Sequence, residues 1–166
     1  MWFRMLGLVL LVGFAVGGSP APAAAGPPVA QLGTWSWPFS GAHALARPYV
    51  APAGPYAAGH RGIDIRALVG APVLAPADGI VHFAGFVVDR PVLSIEHGDG
   101  VLSSFEPVET TLVAGEHVSR GQVIGTLLPG HCALPCLHLG VRVDGEYVNP
   151  LLFLGGVGWS VLYPSG

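Results

Sequence analysis

From residue 72 onward the chain is a series of short apolar runs cut by glycine, proline and aspartate. Pro72-Val-Leu-Ala75, Gly79–Gly85, Pro91–His97, Val101–Phe105, Val113–Val118, Gly121–Gly125 and Leu137–Val143 are rich in β-branched residues or alternate apolar with polar positions. That period of two belongs to strands with one buried face. Gly98-Asp99-Gly100 and Asp144-Gly145 are tight-turn signals between such runs. No stretch after residue 26 keeps a helical period. The pattern predicts an all-β, mostly antiparallel sandwich or open barrel of short strands. Ahead of it, Trp35-Ser-Trp-Pro-Phe39 predicts an edge segment packing on the core, and Ala42–Gly59 an irregular, proline-punctuated lead-in.

The first residues follow a different rule. Arg4, the apolar run Met5–Val16, the breakers Gly17–Pro22 and the small residues Ala23-Ala24-Ala25 form the pattern of an export signal with its cleavage site. The run is too short to span a bilayer comfortably, and no second one follows. The expectation is a secreted or cell-envelope protein with no membrane attachment after signal cleavage. The chain then divides into a signal peptide over 1–25, a Pro/Ala-rich linker and aromatic lead-in over 26–59, a folded domain over 60–154 and a tail over 155–166. Beyond residue 25 there are six Arg, no Lys and ten acidic residues, a net charge of about −4. A nucleic-acid partner, which wants a basic face, is not expected.

Against this background His60-Arg-Gly-Ile-Asp64 and Cys136-Leu-His138 carry the chemistry. Two histidines and one carboxylate suit a Zn²⁺ that keeps one coordination position open. Residues four apart on an extended strand stand about 13 Å from each other, so a helical turn or a bent loop must bring His60 to Asp64. Gly59 and Gly62 favour the bent loop through the backbone angles glycine permits. Cys132 and Cys136 are the only cysteines, four apart, and an exported chain favours their pairing. Left unpaired, Cys136 would aim its sulfur at the metal beside His138, because residues two apart on a strand share a face.

Residues 60 to 154 resemble the LytM/lysostaphin-type zinc metalloendopeptidases, which cut peptide cross-links of bacterial cell walls. The resemblance runs through His60–Asp64, Gly70–Val81, Ile95–Gly100, Val118–Gly125, Leu137–Arg142 and Tyr147–Leu151, in the family's order and spacing. It implies Zn²⁺ on His60, Asp64 and His138, and peptidoglycan peptides as the ligand or substrate. Two family positions are altered. A histidine two residues before the second zinc histidine is Cys136 here, and the histidine of a Tyr-x-His-Leu segment is Pro107. His131, in the cysteine-bounded loop, and Glu106, beside Pro107, are the candidate replacements; both residues also suit ordinary loop and surface roles. The resemblance thus implies either a peptidase with altered acid–base groups or a domain that binds wall peptides, or controls another cell-wall hydrolase, without cutting. Biotinyl and lipoyl carrier domains share part of the β pattern, but they modify a lysine and this chain has none.

Overall fold

The computed structural model describes residues 31–54 and 56–155; the expected export signal, residues 26–30 and the tail from 156 lie outside them. Among the described residues eleven strands form in chain order: β1 (Leu45–Arg47), β2 (Gly62–Arg66), β3 (Pro72–Leu74), β4 (Gly79–Val87), β5 (Arg90–Glu96), β6 (Val101–Glu106), β7 (Val108–Glu109), β8 (His117–Val118), β9 (Val123–Leu127), β10 (Cys136–Val143) and β11 (Glu146–Val148). Among the described residues the helical elements are short 3₁₀ turns such as Pro150–Leu152, which Asn149 caps by accepting from the Leu151 N–H. The expected all-β, antiparallel architecture is what forms. One sheet runs β1-β2-β10-β6-β5-β4-β8, with β11 joining β10 on the edge that β2 leaves uncovered, and a second runs β3-β9-β7. Neither sheet closes into a barrel.

Alternation decides which face is core. On β10, Leu137, Leu139, Val141 and Val143 are buried among Ile63 and Ile65 of β2, Phe105 of β6, and Leu93 and Ile95 of β5. The residues between them, Cys136, His138, Gly140 and Arg142, lie on the opposite face. Trp35 belongs to the core as well: it is 1 % exposed and packs on Phe153 and His97.

Three local expectations differ from the structure. Leu45–Arg47, read as irregular, is a strand because β2 offers it a free edge. Within Val113–Val118 the chain turns at Ala114–Gly115, where Gly115 has φ +92°, so only His117–Val118 is a strand, although Gly115 and Glu116 also bond to the Val81 backbone. Neither Gly59 nor Gly62 takes a positive φ, and Gly62, expected in a bent loop, is the first residue of β2, paired with Gly140; the bend lies before it. Their role is space: a Cβ on Gly62 would stand 2.3 Å from the Leu139 carbonyl oxygen and 2.6 Å from His138 Nε2.

Candidate metal centre

Sheet register sets three of the site residues side by side. Asp64 on β2 pairs directly with His138 on β10, and His138 pairs on its other side with Glu106 on β6. Directly opposed residues in adjacent strands project from the same face, so the row Asp64–His138–Glu106 crosses the sheet away from the core. His60 reaches this row from the bend before β2. Its backbone pairs with Val50, and its Nδ1 donates to the Pro48 carbonyl at 2.7 Å. That bond fixes the tautomer and leaves the Nε2 lone pair facing Asp64 Oδ1 at 3.1 Å and His138 Nδ1 at 3.2 Å. The bend that the spacing demanded is therefore present.

His131 completes the cluster. Its Nε2 lies 3.1 Å from Asp64 Oδ1, while His138 Nδ1 lies 2.8 Å from the same oxygen. One donor atom each from His60, Asp64, His131 and His138 falls within 4.8 Å of the others. His131 Nδ1 faces two groups, Arg90 Nη1 at 3.2 Å and Glu106 Oε1 at 3.5 Å. Bare, that nitrogen accepts from Arg90; protonated, it donates to Glu106. Arg90 and the Pro48 carbonyl carried no signal in the sequence, since nothing in their spacing ties them to the histidines.

His60 and Asp64 are buried, at 5 % and 3 % exposure. Burial pushes the Asp64 carboxyl up, but hydrogen bonds from His131 and His138, and the attraction of His60 and His138 when protonated, outweigh it and hold the group well below the ordinary carboxylate range. A lone pair from His60 and an ionised carboxylate thus converge on one point, and the carbonyl behind His60 keeps it in that orientation. Such a donor set fits a divalent cation of zinc type, and a carbonyl-anchored histidine is the usual support for a metal ligand.

The other expected positions take their places around this centre. Cys132 and Cys136 form a disulfide across the loop that presents His131. Pro107 is buried and offers no donor. Four histidines lie outside the cluster. His82 and His117 are exposed, and His43 stacks on Trp37 with ring centroids 4.3 Å apart. His97 is held between the Asp78 carbonyl and Ser103. Beside the histidine–aspartate cluster opens a cleft of about 360 Å³, whose lining includes His60, His138, Glu106, Ser104, Arg142 and Tyr147. Tyr147 lies under two guanidinium groups, with Arg61 5.8 Å and Arg142 5.1 Å from its ring centre.

Comparison with known proteins adds a family to this geometry. The family model described as Peptidase family M23 matches residues 58–150. Uncharacterized protein Rv2891 of Mycobacterium tuberculosis is 38% identical over 122 residues, which is 69% of this chain and 49% of that protein. Murein hydrolase activator NlpD of Escherichia coli is 32% identical over 126 residues, 74% of this chain and 32% of its own length. The chain thus spans half or less of these relatives. Among solved structures, a zinc containing peptidase from Vibrio cholerae superposes with a TM-score of 0.57 at 24% identity, over 72% of this chain and 40% of that one, a likeness of fold.

Proposed function

The chain belongs to peptidase family M23, and from that premise we propose that it is an exported zinc metalloendopeptidase-type domain acting on the peptide cross-links of peptidoglycan. His60, Asp64 and His138 hold the ion. When bound, zinc polarises the scissile carbonyl and lowers the pKa of the water attached to it. His131 is the acid–base group, and Glu106 orients its ring through Nδ1. The observation that carries this reading is the arrival of His131 Nε2 at 3.1 Å from Asp64 Oδ1, where neither Cys136 nor Pro107 can supply a proton. The adjoining cleft, open at the metal, takes the peptide, with Tyr147 and its two arginines along one wall.

A second reading has its own support. Cys136 and Pro107 stand where the resembling enzymes have histidines, and one relative is a murein hydrolase activator. On that reading the same cleft binds wall peptides, or another wall hydrolase, without cutting.

Metal content of the purified protein and fragment release from purified peptidoglycan separate the two. The expected result is one zinc per chain in the wild type and none in His138→Ala. His131→Ala should keep its zinc and release fragments about 10²–10⁴-fold more slowly. Zinc without release in the wild type favours the binding reading. A wild-type protein free of zinc under metal-replete conditions overturns the site itself.

A further inference from the structure

A second donor set overlaps the first. Asp64, His131, Cys132 and Cys136 each bring one potential ligand atom to within 4.8 Å of the others, so Asp64 and His131 belong to both groups. The alternation that turns His138 toward the site turns Cys136 the same way, two residues earlier on β10. In the oxidised chain both sulfurs are joined to each other and neither is a thiolate.

We propose that the Cys132–Cys136 disulfide is a redox gate on the metal centre: its reduction creates a thiolate-bearing zinc site built on Cys136, Cys132, Asp64 and His131. The proposal deepens the zinc reading above and rests on it.

Burial separates the roles of the two sulfurs. Cys132 is half-buried on the loop, whereas Cys136 is 1 % exposed. A dithiol reductant attacks as thiolate at Cys132 Sγ; the S–S bond breaks, and its electron pair leaves on Cys136 Sγ, inside the cluster. The reductant's second thiol then resolves the mixed disulfide. The reductant ends as a disulfide and both cysteines end reduced. On coordinating the ion each cysteine yields its proton to solvent. Thiolate is a softer donor than carboxylate and zinc takes it readily. Four protein ligands make a closed site, whereas His60, Asp64 and His138 leave a position open, so an ion drawn onto the second set keeps no place for water. His131, the acid–base group of the oxidised form, becomes a ligand there, so reduction both takes the ion off the open site and removes the proton carrier. The coupling is reciprocal: zinc that binds the reduced chain more tightly makes the disulfide easier to reduce by the same factor.

Cobalt(II) reports the ligands directly, because thiolate coordination gives it a charge-transfer band in the near ultraviolet that histidine and carboxylate do not. The cobalt-loaded oxidised protein should lack the band and acquire it on treatment with a phosphine reductant. Zinc affinity should rise about 5–150-fold in the reduced form, the usual span of such couplings. Cys132→Ser frees Cys136 without any reductant and should show the band at once; Cys132→Ser/Cys136→Ser should never show it. Cobalt bound with no band in either Cys132→Ser or the reduced wild type overturns the gate while leaving the histidine site standing. Failure of every form to bind cobalt or zinc overturns the gate together with the zinc reading.

Discussion

The candidate metal centre is built from two kinds of structure. Asp64 and His138 sit on paired central strands, fixed by a register in which every second residue is sealed into the core. His131 sits beside a loop clipped by the Cys132–Cys136 disulfide, its ring held by polar contacts to Asp64, Arg90 and Glu106. A one-residue slip of β10 against β2 would carry Leu137 or Leu139 out of the core, so the strand pair is specified by the hydrophobic residues on its other face. No comparable apolar anchoring surrounds the loop: Ala133, Leu134 and Pro135 are all exposed. The strand half should therefore hold its geometry under changes that release the loop half, and each half should fail in its own way.

Gly62→Ala breaks the strand half most directly. The new methyl meets the Leu139 carbonyl and the His138 ring, and the carbonyl cannot swing aside without moving β10. The expected cost is roughly 3 kcal/mol, at the upper end of the range for overpacked sites. Zinc should be lost with it, because β10 carries His138. Urea unfolding of the variant beside metal analysis checks both; an unchanged midpoint would mean that the two strands are not packed this closely.

Removing the clip tests the other half. Cys132→Ser/Cys136→Ser should destabilise the oxidised chain by about 2 kcal/mol in the chain-entropy account of so short a loop. His60, Asp64 and His138 should still retain zinc at near one per chain, while fragment release falls toward the level of His131→Ala. If zinc is lost along with the clip, the strand-borne ligands are not self-sufficient and the contrast between the halves fails.

The same contrast explains what the sequence made legible. The long strands could be read because burial on one face writes a period of two into them, but Gly62–Arg66 reads as part of a bent loop, and the row Asp64–His138–Glu106 depends on a register between β2, β10 and β6 that no local pattern records. Leu45–Arg47 could not be read, since all three residues are exposed and the strand exists only because β2 has a free edge. The bend at His60 was demanded by spacing, but the reason for Gly62 was not its own conformation. It was the approach of a strand about seventy-five positions away in sequence, which no local pattern records. Pairing of the cysteines followed from their number and the expected export. That the pair would carry His131 onto Asp64, with Arg90 behind it, depends on a loop path that neither composition nor periodicity encodes.

The smallest effect expected is a pH dependence of the framework itself, away from the metal. His97 follows β5 and ties it to neighbouring segments: Nδ1 donates to the Asp78 carbonyl at 2.8 Å, Nε2 accepts from Ser103 Oγ at 2.7 Å, and the ring packs on Trp35. Burial lowers its pKa from the ordinary 6.5, with the Asp78 carbonyl and charge opposing in part. The unfolded chain therefore binds this proton more readily than the folded one. The stability His97 contributes is complete above about 6.5 and declines as the pH falls toward the lowered folded value. Urea unfolding at a series of pH values should show that decline in the wild type and a shallower one in His97→Gln, which cannot take up the proton. Oxidised protein stripped of metal keeps the titration of the His60–Asp64–His138 cluster the same in both. Parallel profiles would place the acid sensitivity in the metal cluster, and would mean that the strand framework is as indifferent to protons as its hydrophobic face is.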